Sequence, residues 1–310
     1  IGYNTLSTQT ADSRSVAIGY EALTSQAVGE GSNSTCIGWH AGYAITTATI
    51  ATCIGSEAGD GFDTETAITA IGFRTLSAAQ AGDGYNTALG SEAGKSLATG
   101  SYNTFLGARC GDAATAGDYS TAVGADALGG VNVASKNVAV GWRTLYVNTT
   151  GSTNTAVGTS AFTANTTGSG GTAVGERTLD ANTTGNYNTA VGSLALSSNT
   201  TGSNNTAVGY NCLNAATTAD NNTAMGYICL DSVTTGSSNA AFGYNTLTAV
   251  TTGGSNTAFG SGAAAAVTTA SHNTALGSNA YVSGTGAQNI AIGRNCMYAT
   301  VTGDDNVGVG

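Results

Sequence analysis

A seventeen-residue repeat runs through the whole chain and constrains its fold more than any other feature. Each repeat contains a Thr-Ala-Val-Gly-like unit, and the glycine that ends this unit is the anchor from which positions in the repeat are counted. Most intervals between successive anchors have this length; Gly19–Gly38 and Gly72–Gly90 are longer, and Gly277–Gly293 is shorter. Such regular self-similarity is typical of proteins built by stacking equal units. The anchors are Gly2, Gly19, Gly38, Gly55, Gly72, Gly90, Gly107, Gly124, Gly141, Gly158, Gly175, Gly192, Gly209, Gly226, Gly243, Gly260, Gly277, Gly293 and Gly310.

The residue types within the repeat predict strands and turns rather than helices. Position −1 is always apolar, position −2 is nearly always Ala, position −3 is usually Thr, position −4 is often Asn and position +4 is usually Leu. Short β-branched runs broken by Gly and Asn are typical of strands and turns. The sequence therefore predicts an all-β fold, a parallel β-solenoid of about 18 coils in which each coil pairs with the next. Residues 1–310 are expected to form a single continuous array that is a segment of a longer chain.

One chain of this kind has little apolar material for a core of its own. Each coil supplies about two large apolar side chains, at positions −1 and +4, whose burial is worth roughly 3–6 kcal/mol. Ordering one coil costs about 25 kcal/mol. We therefore expect a homotrimer whose chains wrap together and bury the Ala at position −2 between them. Val16, Val138, Ile290 and Val307 replace the Thr at position −3, which indicates that this position is buried as well.

The composition excludes several classes of function. There are 8 Lys and Arg against 18 Asp and Glu, a net charge of −10, so the chain lacks the positive field that nucleic acid requires. No apolar run reaches the roughly 18 residues of a membrane-spanning helix. Ser, His and Asp do not recur close together, and His40 and His272 lie far apart with no Cys-x-x-Cys pair for zinc. The sequence therefore predicts no enzyme activity, no catalytic site, no metal site and no cofactor.

Stacking of the coils would turn the residue at position +2 into a charged column. From Glu57 onward the sign of its charge alternates at every coil, so each charge lies between opposite neighbours. We expect a solvated ridge in which each exposed pair contributes about 0–1 kcal/mol, and a charged receptor-binding stripe is the alternative. The Asn residues at position −4 predict a second column, whose amides hydrogen-bond along the stacking direction. The charged column comprises Glu57, Arg74, Glu92, Arg109, Asp126 and Arg143.

Two further columns bear on ligands. Tyr210, Tyr227 and Tyr244 occupy position +1 of three successive coils and form a candidate surface rank for stacking on sugars, with simple covering of a coil corner as the alternative. Thr-Thr pairs recur in eight successive coils, from residues 149–150 to residues 268–269, and a regular Thr rank is a feature that an ice-binding surface would need. Neighbouring strand residues point to opposite faces, so each pair is expected to expose one Thr.

The six cysteines all occupy positions that otherwise hold small residues. They are expected to be buried free thiols, because stacked residues on parallel strands point the same way and two of the six have no counterpart in the next coil. Cys36 and Cys53 occupy position −2, and Cys110, Cys212, Cys229 and Cys296 occupy position +3.

Residues 15–19, Ser-Val-Ala-Ile-Gly, resemble the repeat of YadA-like heads in trimeric autotransporter adhesins, and residues 137–141 and 289–293 are similar to it. This resemblance implies a left-handed parallel β-roll, a homotrimer and adhesion to a surface, although the common coil of that family is shorter than the repeat of this chain. The Asn-Thr-Thr-Gly and Asn-Thr-Ala-Val-Gly forms resemble repeats of bacteriophage tail fibres and of large bacterial surface proteins.

These resemblances favour an extracellular fibre shaft that projects a receptor-binding end toward a host cell. A phage tail or capsid fibre on the virion surface is the first hypothesis, and the head of a bacterial adhesin that binds host or matrix is the alternative. An ice-binding protein is a remote third. The expected partners are the chain itself and a host receptor or polysaccharide outside this segment, with neither nucleic acid nor membrane insertion.

Overall fold

The computed structural model is all-β and parallel, as the repeat predicts. It describes residues 1–7, 14–25, 33–46, 50–63, 66–78, 84–130 and 132–310. The chain divides into two compact units, Ile1–Thr153 and Asn154–Gly310. The first unit contains β1 (Val16–Ile18), β2 (Thr35–Ile37), β3 (Ala51–Ile54), β4 (Ile68–Ile71), β5 (Thr87–Leu89), β6 (Thr104–Leu106), β7 (Thr121–Val123) and β8 (Val138–Val140). The second contains β9 (Thr155–Val157), β10 (Thr172–Val174), β11 (Thr189–Val191), β12 (Thr206–Val208), β13 (Thr223–Met225), β14 (Ala240–Phe242), β15 (Thr257–Phe259), β16 (Thr274–Leu276), β17 (Ile290–Ile292) and β18 (Val307–Val309).

Equivalent positions of the repeat lie beside one another in each unit. Within a unit every strand pairs in parallel with the next one along the chain, and Thr172 lies beside Thr189 as Val174 lies beside Val191. The irregular intervals do not disturb this register, because Val16 still pairs with Thr35 and Thr274 with Ile290. The prediction of a β-solenoid with one coil per repeat is therefore confirmed.

The interior of each coil is lined mainly by small and polar side chains. Strand residues alternate between faces, so a strand as short as these sends only its central side chain, at position −2, into the interior. That side chain is Ala in most coils, and Ala156, Ala173 and Ala190 have no exposed surface. The Leu at position +4 is also buried, as Leu179 illustrates.

Three predictions about burial are wrong. The Ala at position −2 is not held for a neighbouring chain, because the chain's own coil encloses it. The apolar residue at position −1 points outward instead of into the core, and position −3 points outward beside it, so that Val16 is 47% exposed. The interior at the strand is narrow enough for Ala or Cys, and the alternation of strand side chains then sends both flanking residues to the surface.

Buried asparagines connect the coils through their side chains, as predicted for position −4. The Asn205 amide donates to the carbonyl of Ala219 at 2.7 Å, and its Oδ1 accepts the backbone N–H of Asn222 at 3.0 Å. A second buried column at position +7 was not predicted, and in it Asn182 donates to Oδ1 of Asn165 at 2.9 Å. These bonds satisfy polar groups that would otherwise be costly to bury.

The turn after each strand depends on left-handed backbone conformations. Anchor Gly175 has a φ of +135°, and a Cβ there would lie 2.8 Å from the carbonyl carbon of Gly192 in the next coil. The non-glycine residues at positions +2 and +4 also take positive φ, as in Arg177 and Leu179, both at 52°. Such conformations are uncommon for these residue types, and the packing of the coil maintains them.

Large side chains exchange places within the core to keep its volume filled. Gly111 stands at position +4 where most coils have Leu, and the ring of Phe105 fills the space, 2.9 Å from where a Gly111 Cβ would be. Gly59 and Phe62 show the same exchange. In the shortened coil that ends at anchor Gly293, the Tyr281 hydroxyl donates to the Gly286 carbonyl at 2.7 Å, which replaces an amide of the second Asn column.

Candidate functional site

The outward face of the strands carries no charged side chain and is partly exposed in each unit. Position −1 presents Val, Ile, Leu, Met or Phe, and position −3 presents mainly Thr. The exposed fraction of Val157, Val174 and Val191 is 36% each, and that of Phe259 reaches 60%. An apolar column of this length is unusual for a surface that remains in contact with water.

The charged column at position +2 is brought together as pairs. Arg74 Nε lies 2.8 Å from Glu57 Oε2, and Arg109 contacts both carboxylate oxygens of Asp126, with Nε 2.7 Å from Oδ1. Backbone bonds between successive coils, such as Arg109 N–H to the Ser91 carbonyl at 2.9 Å, hold these residues in line.

Two members of the charged column have other partners. Glu92 Oε1 is 3.3 Å from Lys95 Nζ within its own coil. The Arg143 guanidinium lies over the rings of Trp142 and Tyr146, at 5.5 and 4.5 Å. The column is thus a ridge of short-range pairs, and exposed pairs of this kind contribute little to stability.

Three carboxylates at position +5, those of Asp60, Asp112 and Asp231, are partly buried. Burial, together with the charge of Glu57, raises the pKa of the Asp60 carboxyl. Burial likewise raises the pKa of Asp112, and it is the cause of the raised pKa of Asp231. In the part of the chain that the structure describes, His, Cys, Asp and Glu form no group of three that could hold a metal ion.

The tyrosine rank at position +1 is present and stacked. The ring centroids of Tyr210 and Tyr227 are 5.4 Å apart, and those of Tyr227 and Tyr244 are 5.6 Å apart, with nearly parallel planes. A sugar stacks on the face of an aromatic ring, whereas here each inner face is occupied by the next tyrosine. The rank therefore offers ring edges and hydroxyl groups to a ligand rather than a row of open faces.

A second tyrosine rank was missed in the sequence analysis. Tyr85, Tyr102 and Tyr119 stack with centroid distances of 4.9 and 5.0 Å and interplanar angles of 2° and 7°. These three residues are each spaced by one repeat, which is the signal that the sequence contained. They lie at position −5, which has no common residue type among the coils, so a comparison of repeats does not draw attention to them.

The Thr-Thr pairs expose only their second residue, as expected, except in the last pair, where Thr268 and Thr269 are both exposed. Thr166 Oγ1 donates to the carbonyl of Thr183 at 2.9 Å, so the first Thr of the pair is tied to the next coil. The second Thr is exposed in every coil of the second unit that has the pair: Thr167, Thr184, Thr201, Thr218, Thr235, Thr252 and Thr269.

Five of the six cysteines are buried free thiols, which confirms that prediction for them, and Cys296 is a partly exposed free thiol. Cys212 and Cys229 donate to the carbonyls of Ala224 and Ala241, at 3.3 Å each. Burial raises the pKa of Cys110 to about 12. The Cys110 thiol is therefore a protonated core group rather than a nucleophile.

Comparison with models of known protein families finds no match, and comparison with curated proteins finds none either. Within the described residues, no helix has the length and apolar character needed to cross a membrane.

Proposed function

We propose that this chain is part of a structural and adhesive fibre, a homotrimeric shaft on the outside of a virion that projects a receptor-binding end toward a host cell. The observation that carries the proposal is the uncharged apolar column at position −1, which each unit presents along its strands. A stacked solenoid grows by adding coils, and its surface columns lengthen with it. Such a molecule acts mechanically, as a spacer.

The apolar column supports self-association because every copy of the chain carries it with the same spacing between coils. Two copies placed side by side can therefore match coil to coil, and the Thr at position −3 adds a small polar flank. Removing apolar side chains from water is the main favourable contribution to most protein association.

Mass in solution tests the association. Light scattering on the purified chain is expected to give three times the mass of one chain. The double variant Val174→Glu with Val191→Glu places two charges on the apolar column and is expected to lower the mass. The matched control, Thr167→Glu with Thr184→Glu, adds the same charges on exposed residues elsewhere in the repeat and is expected to leave the trimer intact. A monomeric parent chain would overturn the proposed assembly.

Surface binding distinguishes the shaft from an adhesin head. A shaft is expected to show no saturable binding of its own to host cells or to matrix-coated surfaces, because the receptor-binding end lies outside it. Saturable binding of the chain alone to matrix would favour the bacterial adhesin. The phage fibre is preferred because the Asn-Thr-Thr-Gly form of the repeat, which resembles repeats of bacteriophage tail fibres, recurs in four successive coils at residues 148–151, 165–168, 182–185 and 199–202.

Ice binding is a second candidate, and the exposed Thr column of the second unit is the observation that favours it. An ice-binding surface requires regularly spaced side chains on a rigid face, and these Thr residues recur once per coil. Thermal hysteresis of the purified chain is the test. A freezing point equal to the melting point would remove this candidate, and hysteresis abolished by Thr201→Glu with Thr218→Glu would establish it.

A further inference from the structure

We propose that the stacked tyrosines Tyr85, Tyr102 and Tyr119, here called the tyrosine column, form a site of oxidative cross-linking within one chain. An external one-electron oxidant of the peroxidase class, acting with hydrogen peroxide, would join neighbouring rings through a carbon–carbon bond ortho to the hydroxyl. The product is a dityrosine that links successive coils.

The geometry brings the reacting atoms together before oxidation. The centroid distances of 4.9 and 5.0 Å and interplanar angles of 2° and 7° place each ring face against the next. The unpaired electron of a phenoxyl radical occupies π lobes above and below the ortho carbons, so coupling begins with the faces of two rings opposed. A stacked pair therefore starts in the orientation that coupling requires.

The backbone holds this arrangement in place. The Tyr102 N–H donates to the carbonyl of Gly84, and the Tyr119 N–H to the carbonyl of Ser101, each at 3.1 Å. All three residues take the left-handed conformation, with φ between 57° and 60°, so their side chains leave the coil in the same direction. The parallel register of the backbone thus places the three side chains one above another in successive coils.

The rings are also accessible to an oxidant. The exposed fractions of Tyr85, Tyr102 and Tyr119 are 49%, 44% and 58%. The rank formed by Tyr210, Tyr227 and Tyr244 shows what ring separation alone changes. It is similarly exposed, but its ring centroids are 5.4 and 5.6 Å apart. The larger separation predicts slower coupling there.

The reaction balances with hydrogen peroxide as the terminal oxidant. Each of two tyrosines loses one electron and one proton to become a phenoxyl radical. The radicals join at their ortho carbons, and the hydrogens on these carbons move to the oxygens as both rings become aromatic again. The two electrons and two protons reduce one hydrogen peroxide to two waters. The cross-linked pair has two hydrogen atoms fewer than the separate tyrosines.

The bond would close a loop of one coil between residues 85 and 102 or between residues 102 and 119. A covalent link across such a loop restricts the unfolded chain, as a disulfide does. Cross-linked coils would therefore separate more slowly on unfolding, which suits a fibre exposed to the environment.

The test treats the full chain with a peroxidase and hydrogen peroxide and maps the products by mass spectrometry. A mixture of isotope-labelled and unlabelled chains separates links within one chain from links between chains. The expected result is intrachain dityrosine joining Tyr85 to Tyr102 or Tyr102 to Tyr119, in higher yield than in the other rank. Dityrosine fluorescence gives the rate.

Tyr102→Phe is the deciding variant, because it retains the ring and the stack but removes the shared hydroxyl. It is expected to abolish both intrachain links. Tyr187→Phe is the matched control, since Tyr187 occupies the same position of its coil and is 68% exposed, with Gly170 and Asn204 as its counterparts in the neighbouring coils. It is expected to leave the yield of the tyrosine column unchanged.

Absence of intrachain dityrosine would overturn the proposal. So would a dityrosine yield at Tyr187 equal to that in the tyrosine column, because exposure alone would then explain the reaction. Neither result bears on the mass in solution, so failure of this inference is distinguishable from failure of the proposed fibre.

Discussion

The side-chain amide of a buried asparagine forms hydrogen bonds between neighbouring coils, as backbone groups do between the strands of a wider sheet. Asn205 donates to the Ala219 carbonyl at 2.7 Å and accepts the Asn222 N–H at 3.0 Å, so one side chain bonds two backbone groups of the next coil. The prediction of this column from the recurrence of Asn at position −4 was correct. The second column, containing Asn165 and Asn182, was missed because position +7 also accepts Val and Ala.

Asn205→Ala is expected to lower the free energy of unfolding by about 1–3 kcal/mol for each buried group that loses its partner. The physical reason is that the Asn222 N–H and the Ala219 carbonyl stay buried without the amide. Urea denaturation followed by circular dichroism measures the change. Thr201→Ala is the control, since Thr201 is exposed and its replacement is expected to stay within about 0.5 kcal/mol. Equal effects of the two variants would contradict a stabilising role for the Asn column at position −4.

Asp231→Asn is expected to stabilise the protein at neutral pH. Burial raises the pKa of Asp231, so the folded state binds a proton more tightly than the unfolded state does. The contribution of Asp231 to stability is therefore greatest at low pH. It is lost as the pH rises from the pKa of the unfolded state, about 3.9, through the pKa of the folded state. Asn214 holds the equivalent position one coil earlier, so the coil accepts an amide there.

The measurement for Asp231→Asn is the free energy of unfolding from pH 3 to pH 7. The variant is expected to lose part of the decline that the parent chain shows over the lower part of this range. Asp305→Asn, at an exposed residue, reports the effect of removing one negative charge alone. A variant that is less stable than the parent at pH 7 would show that burial is not what governs this carboxyl.

At the scale of the coil, the core keeps its volume rather than its residue types. Leu at position +4 is one solution, and Gly at the same position with a large side chain nearby is another, as Gly111 with Phe105 and Gly59 with Phe62 show. The sequence contains both members of each exchange, but their relationship depends on which side chains meet across coils. Spacing alone does not reveal that Phe105 reaches over Gly111.

The pair Phe105 and Gly111 allows a test by double-mutant cycle. Phe105→Ala alone is expected to cost about 3–5 kcal/mol because it leaves a cavity. Gly111→Leu alone is expected to cost about 1–3 kcal/mol or more, because the added side chain overlaps the Phe105 ring. Together they restore the common pattern of Ala at −2 and Leu at +4, and the double variant is expected to be more stable than the sum of the single effects. Additive costs would mean that the two residues do not share one space.

For the molecule as a whole, the repeat allows the number of coils to change without a change of fold. In each unit a coil pairs with its sequence neighbours in parallel register, so a complete coil is an exchangeable piece, and stability is close to a sum over coils and their interfaces. The outward apolar column is common to both units. An assembly that uses this column therefore gains contact with every coil that is added.

Deletion of residues 172–188, one complete coil, is expected to leave a folded protein with a modestly lower midpoint of urea denaturation. Residue 171 would then connect to residue 189, whose position in the repeat follows it correctly. Deletion of residues 176–183, although shorter, removes half a coil and is expected to disrupt the register. Circular dichroism and the cooperativity of unfolding compare the two. Loss of structure in the first deletion and not in the second would contradict the modular solenoid.

The sequence by itself determined the parallel solenoid, its register, the Asn column at position −4 and the alignment of the charged residues, because a fixed period states which residues are equivalent. Only the tertiary structure decided which equivalent residues face inward. A narrow interior admits Ala at position −2 and sends Val and Thr to the surface, whereas hydrophobicity alone favours the reverse. The second tyrosine rank and the exchange of Leu for Gly were likewise decided by contacts between coils, which no single repeat contains.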